Sequence, residues 1–169
     1  MGWLCINLYN VGMLSAVLDH YPIDSVKAIG SEPFSIFKKP YIRVGGEILS
    51  LDTIEKSLLL EKYGDERVHF AVNCASASCP PLRAEPYRGA RLDAQLDEQT
   101  RLFAESTRAV QVNADQRTIA YSELFNWYAS DFGVNSPSES LNRYRSEALP
   151  VDHSESWISY DWSLNAASK

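Results

Sequence analysis

Tyr41-Ile42-Arg43-Val44-Gly45-Gly46-Glu47-Ile48-Leu49-Ser50-Leu51-Asp52 sets two short β-prone runs on either side of a Gly-Gly pair. Glycines supply the positive φ values of a two-residue hairpin turn, so the stretch predicts a tight antiparallel hairpin. Helix signals follow at once. Ser50 offers a side-chain oxygen as N-cap, Asp52 complements the helix dipole, and Leu51, Ile54, Leu58 and Leu59 form an inward stripe until Gly64. A hairpin running straight into a helix predicts an α+β fold rather than a parallel sheet. Gly45-Gly46 is a turn and not a phosphate loop, because no Gly-rich Lys-Ser/Thr motif follows it.

Upstream, Leu4, Leu8, Val11, Leu14, Ala16 and Leu18 recur at helical spacing and stop near His20, before Pro22. They predict an N-terminal helix that is apolar on most sides and therefore buried. Downstream, Arg67 to Asn73 alternates, with Val68, Phe70 and Val72 on one side, and predicts a strand. Cys74 to Ala90 holds Pro80, Pro81, Pro86 and Gly89 without periodicity, which predicts an irregular loop of the kind that often carries function. Leu92, Leu96, Gln99 and Phe103 predict an amphipathic helix. Val110 to Val112 and Thr118 to Tyr121 predict a second hairpin across the Asn113 to Gln116 turn. Ser122 caps a short helix closed by Gly133, Ser136-Pro137-Ser138-Glu139 is a capping box, and Trp157 to Leu164 supplies a last strand. With no repeat or linker, residues 1–169 read as a single α+β domain with mostly antiparallel strands.

The chain has 169 residues, 45% hydrophobic and 22% charged, enough for a folded soluble domain with its own core. A net charge of −6 without any basic run argues against nucleic acid. Gly2 to Leu18 is broken by Asn7, Tyr9, Asn10 and Ser15 and lacks a basic lead, so it is neither a membrane span nor a signal peptide. Met1 leads directly into helix interior, which suggests an upstream segment, with any targeting signal, missing from this chain. Localisation is therefore unknown. Three cysteines are too few for a disulfide framework and leave the redox compartment undecided.

The densest reactive cluster is Arg67-Val68-His69-Phe70-Ala71-Val72-Asn73-Cys74-Ala75-Ser76-Ala77-Ser78-Cys79-Pro80-Pro81. A thiol attacks an acyl carbon as thiolate, so it wants an imidazole nearby and a third group to orient that ring. Here Cys74 or Cys79 is the candidate nucleophile, His69 the base, and Glu55, Asn73 or Asn7 the orienting group. Two other readings stay open. A local disulfide between Cys74 and Cys79 would occupy both thiols. His69, Cys74 and Cys79 would offer three ligands of an open zinc site, at a spacing unlike that of zinc fingers. Ser76 and Ser78, without a nucleophile elbow, read as turn formers, and Asn7 and Asn10 either lock the fold or line a site. Tyr121, Trp127, Tyr128, Trp157, Tyr160 and Trp162 belong to the core or to a hydrophobic groove, and His20 and His153 to the surface.

Six ordered motifs, Trp3 with Ile6-Asn7-Leu8-Tyr9-Asn10, Gly46 with Leu51-Asp52-Thr53-Ile54-Glu55, Arg67 to Cys74, Ser78-Cys79-Pro80-Pro81-Leu82, Trp127-Tyr128 with Asp131-Phe132-Gly133, and Tyr160 to Asn165, resemble the domain-of-unknown-function family 547. The resemblance implies an α+β fold similar to papain-like and transglutaminase-like thiol hydrolases, with a His and a carboxylate near the motif loop. Residue by residue this points to His69, Glu55 and Cys74, with Asn7, Asn73 and Cys79 alongside. The family occurs in bacteria, often exported, and in plants after a leucine-zipper-like region. It usually has His where this chain has Lys56, and usually continues upstream of Trp3.

The function expected is a thiol-dependent hydrolase or acyl transferase acting on a peptide-like or thiol-containing small substrate, without metal or cofactor. Cys74 would attack, His69 would act as base, Glu55 would orient it, and backbone N–H groups of the Cys74 to Cys79 loop would hold the oxyanion. The alternative is a ligand- or protein-binding module that uses the same pocket without turnover.

Overall fold

The chain is described by a computed structural model over residues 1–133 and 136–166. Helix α1 (Gly2–His20) packs along a π-helix (Thr53–Glu61), and between them runs the hairpin of β1 (Ile42–Val44) and β2 (Glu47–Leu49). Gly45 and Gly46 turn it with φ of 59° and 87°. Gly12 lets β1 approach α1, since a Cβ there would fall 2.5 Å from the Ile42 side chain. A short α2 (Ser35–Lys38) precedes the hairpin, and α3 (Val68–Ala71) and α4 (Leu92–Ala104) follow the π-helix. The second sheet has the order β3 (Val110–Asn113), β4 (Thr118–Ser122), β5 (Ser154–Ile158). Between β4 and β5 lie α5 (Leu124–Trp127) and α6 (Pro137–Asn142). This is the α+β class expected, with two small sheets. Among the described residues no helix is long and apolar enough to cross a membrane.

Local signals hold where they carry a backbone reason. Ser50 Oγ accepts from the Thr53 amide at 3.0 Å, and Gly64 closes the π-helix with φ 73° and a bond to Leu59 O. Ser136 Oγ accepts from Glu139 N above Pro137, as the capping box requires.

Three expectations fail. The Arg67 to Asn73 strand is instead one turn of helix, α3. The Asp65 carboxylate accepts from Arg67 N at 3.0 Å and starts the turn, while Val68, His69, Phe70 and Ala71 are all buried. With every side covered, alternation of residue type carries no information about exposure. The N-terminal helix is buried on one face only: Cys5, Ile6, Tyr9, Met13, Ala16 and Val17 face the core, whereas Val11 and Leu18 are 63% and 66% exposed. The last strand begins earlier than expected, at Ser154, and pairs parallel to β4, so the sheets are antiparallel in β1–β2 and β3–β4 but not at the β5 edge.

Two apolar cores result. One gathers α1, the hairpin and the π-helix around Ile6, Met13, Leu51, Ile54 and Leu59. The other gathers Phe103, Ile119, Tyr121, Phe125 and Phe132. The turn α3 joins them, sending Val68 and Ala71 into the first and Phe70 into the second.

Asn7 and Asn10 bind α1 to the loops beside it. Asn7 donates to Tyr87 O at 2.8 Å and accepts from Tyr87 N at 2.9 Å, as a paired strand would. Asn10 donates to Ala71 O at 3.0 Å and accepts from Asn73 N at 2.8 Å. Truncating Asn10 to Ala leaves two partly buried backbone groups unpaired beside Cys74. The expected loss is about 2–4 kcal/mol of stability, to be read from urea denaturation; a change within the noise of the two curves would show that the amide does not hold the loop.

Candidate active site

The chain leaves α3 extended at Val72 and immediately turns back. Asn73, buried, makes the turn: its Oδ1 accepts from Ala75 N at 2.9 Å and its Nδ2 donates to Pro80 O at 2.7 Å. The first bond holds Ala75 at φ 63°, a region that side chains other than Gly rarely occupy. The C-terminal segment lies along this loop. Ala77 N donates to Ser163 O, Ser78 N to Asp161 O and Asn165 N to Ala75 O, while Ser78 Oγ accepts from Asp161 N at 2.9 Å. That strap carries the Tyr160 hydroxyl over Cys74.

Cys74 is half-buried, and its sulfur lies 3.0 Å from Ser76 Oγ and 3.4 Å from Tyr160 Oη, with the two hydroxyls 3.1 Å apart. Cys79, buried, brings its sulfur to 3.0 Å from the Cys74 amide, which donates to it. Both thiols are free. A hydrogen bond from the Cys79 thiol, joined by the Ser76 and Tyr160 hydroxyls, pulls the Cys74 thiol down to about 6 against the effect of burial. Cys79 moves the other way: burial pushes its thiol up, and the neighbouring Cys74 charge adds to that. Cys74 is thus pushed toward thiolate and Cys79 held as thiol.

Glu55 projects from the π-helix, and His69 from α3, into the same cavity of about 320 Å³ that Cys74 and Cys79 line. The three expected catalytic residues therefore share one chamber, but not as a chain of contacts. His69 Nε2 pairs with Asp131 Oδ2 at 2.9 Å, and its side chain is 1% exposed beneath the Tyr128 and Phe132 rings, centroids 4.2 and 5.4 Å away. Burial lowers its pKa, opposed by Asp131. The carboxylate on the imidazole is thus Asp131, not Glu55. Glu55 is buried and raised to about 7, chiefly by that burial; hydrogen bonds from Tyr128 and Tyr9 act against it, and the charges of Asp52 and Cys74 reinforce it. Its partners are those two tyrosine hydroxyls, not the imidazole.

The other expected site residues divide between the chamber and its supports. Ser76 touches the reactive sulfur, Asn73 fixes the loop, Ser78 fastens the strap, and Asn7 lies away from the chamber on Tyr87. The loop amides are already engaged: those of Cys74, Ala75, Ala77, Ser78 and Cys79 donate to protein acceptors. These five amides, expected as oxyanion donors, are thus bonded within the fold. Among the described residues, no three His, Cys, Asp or Glu side chains group as metal ligands, since His69 is turned away to Asp131.

Aromatic side chains form the entrance. Trp127, Tyr160 and Trp162 stack on one another with centroids 4.7 to 6.0 Å apart, and Phe34 meets Trp162 edge-on at 4.6 Å. Of the six aromatics that the sequence leaves between core and groove, Trp127, Tyr128, Tyr160 and Trp162 line the chamber, and Tyr121 and Trp157 pack elsewhere. Lys56, on the opposite rim, is held by Asp52 at 2.9 Å. Sequence reasoning missed Asp131, Tyr9 and the chemical part of Tyr160. Each sits inside one of the six quoted motifs, which was the available signal.

An α+β fold with a half-buried cysteine in the wall of an aromatic-lined chamber thus defines the kind of protein. Residues 4–104, more than half the chain, match the family model described as "Protein of unknown function, DUF547", and the chain belongs to that family. No curated protein and no solved structure matches it.

Proposed function

We propose that the chain is a thiol-dependent hydrolase or acyl transferase with Cys74 as nucleophile. One observation carries the reading: the Cys74 sulfur opens to a chamber of about 320 Å³ while a thiol and two hydroxyls stabilise its charge. A thiolate already formed at neutral pH needs no base to activate it. The sulfur attacks an acyl carbon and the C–S bond forms, with the Ser76 and Tyr160 hydroxyls beside it as the donors for the developing oxyanion. The bond to the leaving group then breaks, and that group takes the proton of Glu55, whose pKa of about 7 leaves a protonated fraction near neutrality. Water attacks the thioester next, giving its proton to the Glu55 carboxylate, and Cys74 departs as thiolate. His69, held by Asp131, positions the Tyr128 ring, whose hydroxyl bonds Glu55. The substrate class in this reading is a peptide-like or thiol-containing acyl compound with an apolar group for the aromatic entrance. The likeness to papain-like and transglutaminase-like enzymes belongs to this proposal and concerns chemistry.

A second reading, a binding module without turnover, is favoured by the sealed imidazole, which makes no bond to Cys74. Intact-mass spectrometry after exposure of the reduced protein to p-nitrophenyl esters of N-acylated amino acids separates the two. The expected result is an acyl group on Cys74 that disappears with time, with none on Cys74→Ala. An adduct that never clears favours the module, and acylation that survives Cys74→Ala unchanged overturns the nucleophile.

A further inference from the structure

We propose that Cys74 and Cys79 are a peroxide-reducing pair, Cys74 taking the oxygen and Cys79 resolving it into a disulfide. The inference requires only the two sulfurs and their surroundings, and is independent of acyl transfer. Cys74 lies half-buried on the chamber wall, within reach of a small hydroperoxide, whereas Cys79, on the same wall, is only 3% exposed. The Cys79 sulfur accepts from the Cys74 amide at 3.0 Å and donates to Val72 O at 3.9 Å, within the same turn as the Cys74 side chain. Four residues lie between the two cysteines, and the turn they form is pinned at both ends by Asn73 and along its length by the C-terminal strap. The Cys79 sulfur is therefore held against the Cys74 backbone, and little loop ordering stands between oxidation and ring closure.

The chemistry balances without any metal. Cys74 thiolate attacks the terminal oxygen of a hydroperoxide; the S–O bond forms, the O–O bond breaks, and the alcohol or water leaves with a proton from solvent. The sulfur loses two electrons and the peroxide gains them. The sulfenic acid then meets the Cys79 thiol, the S–S bond forms, and water departs with the Cys79 proton. Burial keeps Cys79 protonated and unreactive until that moment. Ser76 and Tyr160, which hold the thiolate, are also placed to donate to the departing oxygen. A small dithiol would reverse the bridge. While the bridge stands, the nucleophile of the proposed acyl chemistry is masked, so the same pair would couple that activity to oxidant.

The test is a peptide map of the full chain after equimolar hydrogen peroxide at neutral pH, with remaining thiols alkylated. The expected product is a Cys74–Cys79 disulfide, with Cys5, buried at a separate site, still alkylated. In Cys79→Ala the sulfenic acid on Cys74 should persist, captured by dimedone, and in Cys74→Ala the Cys79 thiol should stay reduced. Wild-type Cys74 that proceeds to sulfinic acid beside a reduced Cys79, or that reacts no faster than Cys5, overturns the proposal. Circular dichroism checks that the variants fold; should either fail, the wild-type map alone decides. Acylation of the fully reduced protein is scored separately, so failure here leaves that reading intact.

Discussion

Alkylation of Cys74 in the reduced native protein will titrate with a midpoint near pH 6, where an unperturbed thiol gives about 8.5. The sign follows from what touches the sulfur. Each donor, the Cys79 thiol and the Ser76 and Tyr160 hydroxyls, interacts more strongly with thiolate than with thiol, and together they outweigh burial. The midpoint is the informative quantity, not the plateau. Intrinsic nucleophilicity falls as the thiol becomes more acidic, with a slope of about 0.4–0.5, so most of the gain in thiolate fraction at neutral pH is offset. Removing one donor tests the cause: Tyr160→Phe and Ser76→Ala should each raise the midpoint by about one unit, the effect of one hydrogen bond to a charged group. His69→Ala should leave it near its place, since that imidazole pairs with Asp131. Cys5, raised by its own burial, remains slow throughout and serves as internal control. A Cys74 midpoint at or above that of an ordinary thiol, measured by peptide mass spectrometry, would remove the basis for the proposed nucleophile and weaken the peroxide chemistry with it.

How much of this is legible in the sequence depends on whether the deciding interaction is local. The Gly45-Gly46 hairpin, the Ser50 cap and the Ser136 cap all rest on backbone demands satisfied within four residues, and all three appear in the structure. The strand expected at Arg67 to Asn73 fails for the opposite reason. Its conformation is set by an Asp65 side chain before it and by two cores meeting around it, so its alternating residues face burial everywhere. The N-terminal helix misleads in a related way. Its sequence is apolar around most of its circumference, and nothing in a sequence reading says which leucines the π-helix and hairpin will cover.

The site shows the same division. That Cys74, His69 and Glu55 share a chamber is readable from their chemistry and motif order. Their partners are not. The His69–Asp131 contact spans 62 positions and the Cys74–Tyr160 contact 86, distances over which sequence spacing carries no geometry. Motif order alone therefore favours Glu55 as the carboxylate on the imidazole, whereas the fold uses Asp131 there and sets Glu55 against the Tyr9 and Tyr128 hydroxyls.

Glu55→Gln should remove one loss of stability that the wild type carries as pH rises from 4.5 through about 7. The Glu55 carboxyl is raised from 4.5 to about 7 in the folded protein. Between those values the folded state binds a proton that the unfolded chain has released, so the contribution is fully present below the unfolded value and is lost as pH rises through about 7. At 1.36 kcal/mol per unit, the wild type should lose about 3 kcal/mol relative to the Gln variant between pH 4.5 and pH 8. The side chain is buried, so solvent screening does not reduce that figure much. Urea denaturation of both proteins across this range measures it, and parallel pH dependences would show that Glu55 is not ionising inside the fold. The same substitution separates two roles. Above neutrality the ionised carboxylate weakens the fold, and among the described residues no cation pairs with it. An amide of the same shape would hold the chain together at least as well there. What the amide cannot provide is a proton exchanged near neutrality beside a sulfur ionised at about 6. A Glu55→Gln protein that is more stable above neutrality, still alkylated at Cys74 with the wild-type midpoint, and unable to clear an acyl group would place Glu55 in the chemistry and not in the scaffold.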